Sequence, residues 1–467
     1  MERAKYARFS RSKASSASAW SARRRSNFTM GAENTGRPTA VVGAAGFVGP
    51  GDYTLYNPEP MSNSGPPPTV HGMDINRAPR RAAAAAVLAL ALSLPVVTAS
   101  PAATAPLLAG ATATALGAPP SHARAELPRP TGPHTVGRDT LHLVDTDRPD
   151  PWVPSAGARQ LMVSMYYPAR PGTGGPRAPY MTAEEARMLL ESRAPDATVP
   201  PETLSGVRTW ARSGARPVHG RFPLVVLSPG FSLPRATLTG LAEDLTSRGY
   251  VVALVDHPYE NAGTTLPDGQ TLPCTLCDEV TEDRLPAVAE SRAEDVSFVL
   301  DRLTGRHPAW RHAHVIDLKR IGMAGHSLGG NAAATTMAAD ARVRAGVNMD
   351  GSFFAPVPDS GLDGRPFLMF GAQGSPLAET WDPAWAHLDG WKRWLTVAGA
   401  DHGSFTDVPL LGELVGIPDT APLPFERSAA LTRAYVAAFF DLQLKGVPQP
   451  LFDGPSPSNP EVSVRLP

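Results

Sequence analysis

The segment Gly325-His326-Ser327-Leu328-Gly329 places a serine between two glycines, in a context that could make it a nucleophile. An apolar stretch leads into this segment, and a run of small residues typical of a helix follows it. A strand, a sharp turn and a helix together form a nucleophile elbow, in which the glycines leave space that a Cβ atom would fill. The pattern therefore predicts that Ser327 is a nucleophile.

A serine hydroxyl becomes reactive when a base takes its proton, and that base needs a carboxylate to fix its tautomer. His402 follows the apolar stretch 394–398 and precedes Gly403, which leaves the imidazole ring uncrowded. His387 also lies downstream of the serine, but its Trp-rich, helical surroundings favour a packing or surface role. We expect His402 to be the base.

The carboxylate partner has two candidates. Asp350 directly follows the apolar stretch 345–349 and precedes a glycine, and we prefer it. Asp382 is the alternative, because the next apolar stretch, 367–370, ends without a carboxylate. Asp401 is adjacent to His402 but would point to the other side of an extended chain, so an orienting or solvated role is expected for it.

The tetrahedral intermediate of ester hydrolysis carries an oxyanion that needs N–H donors. Leu328 begins the helix after the elbow, so its amide is the first expected donor. The second should come from the loop after the strand 224–227, where Pro229 has no N–H and Phe231 follows a glycine. We therefore assign the oxyanion hole to the amides of Phe231 and Leu328.

The elements that position these residues alternate between strand and helix. Alternation of this kind predicts an α/β fold with a mainly parallel sheet that is covered on both faces. The carboxyl ends of the strands then form the site, and Ser327, Asp350 and His402 all follow strands. The predicted strands are 224–227, 251–255, 321–324, 345–349, 367–370 and 394–397, with a hairpin turn at 267–269, and the predicted helices lie around 238–245, 288–303, 331–339 and 431–444.

The first quarter of the 467-residue chain has a different composition. Residues 1–72 are rich in Arg, Ser, Gly and Pro, which indicates a disordered extension or sequence upstream of the true start. Residues 73–125 are predicted to be a signal peptide and an Ala/Pro-rich leader, which leaves 126–467 as one catalytic domain.

The signal peptide is expected to start near Met73, with arginines followed by the apolar run 82–99. Cleavage could follow residues 97–99 or 123–125. A membrane anchor is the alternative, but Ser93 and Pro95 interrupt the run, so secretion is favoured.

Charge and cysteine content narrow the possible partners. The formal net charge of −1 gives no basis for binding nucleic acid or anionic membranes. Cys274 and Cys277 are the two cysteines, and in an exported chain they are expected to form a local disulfide. No further ligand pair completes a metal site, so we expect no metal and no cofactor.

Four segments resemble the platelet-activating factor acetylhydrolase family of α/β-hydrolases, especially its secreted actinobacterial-type members. These segments are residues 227–231, 325–330, 348–354 and 401–407. The resemblance implies Asp350 as the acid and a metal-independent serine esterase, similar to 1-alkyl-2-acetylglycerophosphocholine esterases, that prefers short or oxidised acyl chains. The chain departs from the animal enzymes at Pro229, where they carry a histidine.

The leading hypothesis is a secreted, monomeric serine carboxylesterase that acts on small-molecule or lipid esters and contacts lipid surfaces at most transiently. A cutinase-like polyester hydrolase or lipase, a serine peptidase and a non-catalytic binding module are the alternatives. Four rings near the predicted site, those of Phe231, Phe353, Phe354 and Phe405, are expected to line an apolar acyl pocket, although packing in the core is equally open for each of them.

Overall fold

A computed structural model of the protein describes residues 125–467. The predictions for the extension 1–72 and for the leader up to residue 124 lie outside the described residues. In the described part the apolar stretches form buried strands, and the segments between them form helices that cover the sheet.

The structure describes twelve strands and eight α-helices within residues 125–467. The strands are β1 (Thr135–Pro149), β2 (Ala158–Ala169), β3 (Arg212–Ser213), β4 (Phe222–Ser228), β5 (Val251–Asp256), β6 (Gly263–Thr265), β7 (Thr271–Pro273), β8 (Ile316–His326), β9 (Val343–Met349), β10 (Phe367–Ala372), β11 (Lys392–Val397) and β12 (Val462–Arg465). The helices are α1 (Ala183–Arg193), α2 (Glu202–Ser205), α3 (Thr239–Ser247), α4 (Leu285–Thr304), α5 (Leu328–Ala339), α6 (Trp381–His387), α7 (Val408–Leu414) and α8 (Phe425–Lys445).

Ten of these strands form one sheet in the order β12-β11-β10-β9-β8-β4-β5-β2-β1-β3. The six central strands from β11 to β5 run parallel to their neighbours. The flanking pairs β2/β5, β1/β2 and β11/β12 are antiparallel. The sheet is therefore mainly parallel, and this α/β-hydrolase architecture confirms the predicted fold class.

Side chains of the central strands enter two separate cores. In β4, Leu224 and Val226 pack on one face with helices α4 and α5, whereas Val225 and Leu227 pack on the other face with α3 and α8. Successive strand residues point to opposite faces, so a strand that is apolar at every position must be covered on both. Both faces of the sheet are therefore protected from water, and the carboxyl ends of the strands remain available for a site.

The predicted helices and central strands are present, and β6 and β7 flank the predicted turn at 267–269. The sequence analysis did not predict β1, β2, β3 and β12, which extend the sheet at its two ends. None of the helices described in residues 125–467 is both long and apolar enough to cross a membrane.

Candidate active site

Ser327 lies at the turn between β8 and α5, with backbone angles of φ 54° and ψ −126°. Few non-glycine residues adopt a positive φ, and holding one costs roughly 1–3 kcal/mol. The neighbouring structure offsets this cost, because the Ser327 N–H donates to the Met349 carbonyl at 2.9 Å. A Cβ atom on Gly325 would collide with the backbone of Gly329, so the elbow needs glycine there. The side chain of Ser327 is partly exposed.

Asp350 follows β9, and its carboxylate faces His402. His402 Nδ1 lies 2.7 Å from Asp350 Oδ2, while the amide of Ala372 donates to Asp350 Oδ1 at 2.9 Å. The Asp350 side chain is 1% exposed and the His402 side chain is 24% exposed, so the pair combines a buried carboxylate with an accessible imidazole. A carboxylate only accepts hydrogen bonds, so a neutral His402 carries its proton on Nδ1 and has Nε2 free to accept one.

His326, which precedes Ser327, holds the loop that carries His402. Its Nε2 donates to the His402 carbonyl at 2.7 Å, and the two imidazole rings lie 4.5 Å apart between centroids. Burial and the nearby His402 keep the pKa of His326 well below its usual value. His326 is therefore a neutral donor that helps to fix the position of His402.

The loop after β4 lies directly against the elbow. A Cβ atom on Gly230 would be 2.9 Å from His326 Nδ1 and 3.3 Å from Ser327 Cβ. Within residues 125–467, neither the Phe231 amide nor the Leu328 amide has a hydrogen-bond acceptor. Both predicted donors thus belong to segments that meet at Ser327, and each has an N–H without an acceptor.

The four aromatic rings separate into two groups. Phe231 and the half-buried Phe354 share an apolar cluster with Leu328, Leu276 and Val280. This cluster adjoins the elbow.

The expectation of a pocket lined by all four rings is wrong for the other two. Phe353 packs against Phe367 and Trp381, and Phe405 packs against Phe370, which places both in the sheet cores. For these two rings the alternative of packing in the core therefore holds.

The other polar candidates lie elsewhere. The carboxylate of Asp382 is 70% exposed and forms an ion pair with Arg465 at 2.6 Å, so it does not support His402. His387 Nδ1 donates a hydrogen bond to the Val357 carbonyl at 3.1 Å, in agreement with the expected packing or surface role. Asp401 accepts a hydrogen bond from the Ser404 amide at 3.0 Å and begins the short 3-10 helix 402–405, which gives it an orienting role.

Cys274 and Cys277 are joined in a disulfide, with Cα atoms 5.4 Å apart. The bond stiffens the segment 274–277, which contributes Leu276 to the apolar cluster. Among the described residues, no group of three or more His, Cys, Asp or Glu side chains is arranged to hold a metal ion.

Sequence reasoning did not identify His326 or Ser375, whose hydroxyl lies 3.5 Å from Asp350 Oδ2. A histidine inside the elbow motif was a visible signal, but its partner is a backbone carbonyl 76 residues away along the chain. Ser375 has no signal in the sequence, because its contact depends on how β10 and β9 pair.

Comparison with known proteins places this geometry in context. Residues 120–272 match a family model described as platelet-activating factor acetylhydrolase, isoform II. A solved structure described as a ferulic acid esterase from Streptomyces cinnamoneus is 45% identical, with a TM-score of 0.67, over 73% of this chain and 99% of that one.

Two relatives are more distant. A protein of Arthroderma benhamiae named probable 1-alkyl-2-acetylglycerophosphocholine esterase is 28% identical over 72% of this chain and 92% of its own length. Platelet-activating factor acetylhydrolase of Gallus gallus is 22% identical over 65% of this chain and 80% of its own.

Proposed function

Because the chain belongs to the platelet-activating factor acetylhydrolase family of α/β-hydrolases and is a serine ester hydrolase, we propose that it cleaves short-chain acyl esters through an acyl-enzyme. In this proposal Ser327 is the nucleophile, His402 the base and Asp350 the acid. The observation that carries the proposal is the 2.7 Å contact between His402 Nδ1 and the buried Asp350 carboxylate. That contact leaves Nε2 to accept the serine proton.

Each half of the reaction, acylation and then deacylation, needs two proton transfers through His402. Its Nε2 takes the Ser327 proton as Oγ attacks the ester carbonyl, and the imidazolium then protonates the leaving alcohol. Water repeats the sequence on the acyl-enzyme, which releases the carboxylic acid and restores Ser327. Asp350 stabilises the imidazolium in both steps and keeps the proton on Nδ1.

The tetrahedral intermediates carry their negative charge on the former carbonyl oxygen. The amides of Phe231 and Leu328 are proposed to donate to it, because both are buried and neither has a protein acceptor in the described chain. Leu328 adds the first N–H of α5, and the positive end of a helix dipole favours an anion. Donors that are fixed in advance stabilise the transition state without reorganisation.

The acyl preference is argued from the apolar cluster beside the elbow. Phe231, Phe354 and Leu276 belong to this cluster, which also includes Leu328. A wall of bulky side chains next to the oxyanion donors favours small acyl groups and opposes long chains. Acetyl to butyryl esters are thus the proposed substrates, and a cutinase-like polyester hydrolase or lipase is the alternative.

A hydroxycinnamoyl ester is a second candidate substrate. The 45% identical solved relative is described as a ferulic acid esterase. Phe231, Phe354 and Trp152 supply aromatic surface in the same cluster, and aromatic pairs add to the binding of a flat acyl group. The wall that limits long aliphatic chains could therefore accept a planar ring.

We also propose that the protein is exported, which is supported by the basic and apolar leader that starts near Met73. The disulfide between Cys274 and Cys277 is compatible with an oxidising compartment.

The central test compares the wild type with Ser327→Ala on p-nitrophenyl esters of increasing length, methyl ferulate, a short-acyl phospholipid and a polyester film. We expect kcat of the variant to fall by on the order of 10⁶, because a triad that loses its nucleophile loses nearly all turnover. A fluorophosphonate probe should label Ser327 in the wild type. Full activity in the variant, or labelling of another residue, would refute the nucleophile, and a maximum on long-chain triacylglycerol would favour a lipase.

A further inference from the structure

A second serine, histidine and aspartate chain lies beneath the loop that carries Phe231. Ser228 Oγ is 3.0 Å from His257 Nε2, and His257 Nδ1 is 2.8 Å from Asp295 Oδ2. All three residues are at most 1% exposed, so no ester can reach this serine. Burial and the charge of Arg292 lower the pKa of His257, which keeps the imidazole neutral. The chain is a buried support at the end of β4, not a second catalytic site.

Arg292 of α4 connects this support to the loop. Its Nη1 donates to the Pro229 carbonyl at 2.6 Å, and its Nε donates to Glu260 Oε2 at 2.7 Å. Arg292 is 1% exposed and the Glu260 side chain is fully buried. A buried ion pair gives little net stability, because desolvation cancels much of the attraction. Stability alone therefore does not explain why Arg292 and Glu260 are paired here.

Glu260 holds the other side of the same loop. Its backbone carbonyl accepts a hydrogen bond from the Ser232 N–H at 2.7 Å, and Trp152 Nε1 donates to its Oε1 at 2.7 Å. Ser232 has a φ of 62°, which is a backbone conformation that a serine adopts only when its surroundings enforce it. Phe231 therefore lies between two anchored positions, Pro229 and Ser232.

The peptide between Gly230 and Phe231 has a fixed direction. The Leu233 N–H donates to the Gly230 carbonyl at 3.3 Å. In a trans peptide the following N–H points opposite to that carbonyl, so the Phe231 N–H points away from Leu233. A Cβ atom on Gly230 would lie 3.3 Å from Ser327 Cβ, so this peptide is adjacent to the nucleophile.

We infer that Arg292 and Glu260 are positioning residues that aim the Phe231 N–H at the oxyanion, an inference that rests on the proposed function. Arg292 fixes the Pro229 carbonyl on one side of Phe231, and the backbone carbonyl of Glu260 fixes the Ser232 amide on the other. The ion pair between the Arg292 and Glu260 side chains sets the distance between these two anchored positions. Arginine suits this role because its Nε and Nη1 donate from two separate atoms in a rigid plane, to Glu260 and to the Pro229 carbonyl. A lysine ammonium donates from one nitrogen, so it cannot reproduce this fixed geometry.

The test uses Arg292→Lys and Glu260→Gln. We expect kcat on a short-acyl p-nitrophenyl ester to fall about 10- to 100-fold with KM within about threefold, since a misdirected donor loses part of the 10²- to 10³-fold that its removal costs. A trifluoromethyl ketone, which forms a tetrahedral oxyanion on serine, should bind more weakly by a similar factor. Arg365→Lys is the matched control, because Arg365 also binds backbone carbonyls, those of Leu362 and Val343, but at the opposite end of the sheet.

Each outcome supports or overturns the inference. All variants are assayed well below their unfolding temperatures, and if Arg292→Lys does not fold, Glu260→Gln decides. Wild-type kcat and ketone affinity in both folded variants, or an equal loss in Arg365→Lys, would overturn it. Failure of the proposed function is distinguishable, because then the wild type itself would lack Ser327-dependent esterase activity.

Discussion

At the scale of single residues, Ser327 and Asp350 share an unusual positive φ. Both have a φ of 54°, and each adopts it directly after a parallel strand. Such conformations cost roughly 1–3 kcal/mol, so the surrounding hydrogen bonds must enforce them. The Ser327 amide is held by Met349 and the Asp350 amide by Phe370 at 2.9 Å. Strain of this kind is concentrated where a side chain must be presented at a fixed angle, which agrees with catalytic roles for both residues.

The role of Asp350 is tested by Asp350→Asn. An asparagine NH₂ would donate to His402 Nδ1 and so favour the proton on Nε2, which is the wrong tautomer for a base. We expect kcat to fall by on the order of 10⁴ with little change in KM, measured on a short-acyl p-nitrophenyl ester. Asp382→Asn is the control and should retain activity, because Asp382 is exposed and paired with Arg465. The reverse result would show that Asp382 is the acid.

The sequence indicates which polar residues could form the site, but it does not indicate where loop side chains point. Ser327, Asp350 and His402 could be proposed because each follows an apolar stretch. The inward packing of Phe353 and Phe405 could not be predicted, because proximity in sequence does not determine the face to which a loop residue points. The partnership of Arg292 with Pro229 is also invisible, since it depends on how α4 packs against the end of β4.

At the scale of elements, Asp407 links the loop of His402 to the start of α3. The carboxylate of Asp407 accepts hydrogen bonds from the Gly240 amide at 3.1 Å and from the Tyr180 hydroxyl at 3.2 Å. An acidic group at a helix N-terminus satisfies free N–H groups. Asp407 is nevertheless buried, and this burial raises its pKa to about 7.

This pKa predicts how stability changes with pH. A carboxyl whose folded pKa is raised stabilises the fold below its unfolded pKa, near 4, and loses that contribution as pH rises towards the folded value. Asp407→Asn keeps an acceptor without a charge, so it should match the wild type near pH 4. Its relative free energy of unfolding should rise by on the order of 3 kcal/mol between pH 5 and pH 8.

Urea unfolding of both proteins at pH 5 and pH 8 measures the Asp407 effect. Glu243, whose pKa burial also raises to about 7, is present in both variants and largely cancels in the difference. A difference that does not change with pH would mean that Asp407 stays ionised in the folded protein.

The central strands could be predicted from the sequence, whereas the outer strands β1 and β2 could not. Apolar runs that are buried on both faces made the central strands recognisable, and the clearest are residues 224–227 of β4, 251–255 of β5 and 367–370 of β10. In contrast, β1 alternates buried and exposed residues and carries charges, so it does not stand out from a loop. Its partner β2 is apolar, but its place in the sheet depends on antiparallel pairing with β5, which lies about 90 residues further along the chain.

At the scale of the whole molecule, the sheet gathers the proposed machinery at one edge. The oxyanion loop, the elbow, Asp350 and His402 follow β4, β8, β9 and β11, which are connected through neighbouring strands of one sheet. Each element presents a single group at its carboxyl end, and the helices behind it supply the buried contacts. The same domain includes the segment that precedes β1, whose Leu127 packs in a hydrophobic cluster with Tyr180 and Leu204.

That segment sets a limit on where the mature chain can begin. Leu127 is 1% exposed, its amide donates to the Arg208 carbonyl at 3.0 Å, and its own carbonyl accepts from Trp210 Nε1 at 2.8 Å. Burial of a leucine side chain contributes about 1.5–3 kcal/mol, so a chain that lacks Leu127 should be less stable by at least that amount. The proposed signal cleavage, if it occurs upstream of Glu126, would preserve all of these contacts.

We therefore expect the secreted protein to begin between about residues 100 and 126, with Cys274 and Cys277 joined. Intact-mass analysis of culture medium measures both features. A chain that begins at Glu126 should match the secreted protein in unfolding temperature and kcat, whereas one that begins at Thr135 should unfold several degrees lower. An intact N-terminus or two free thiols in freshly secreted protein would contradict the export proposal. Equal stability of the two shortened chains would show instead that Leu127 contributes nothing to the fold.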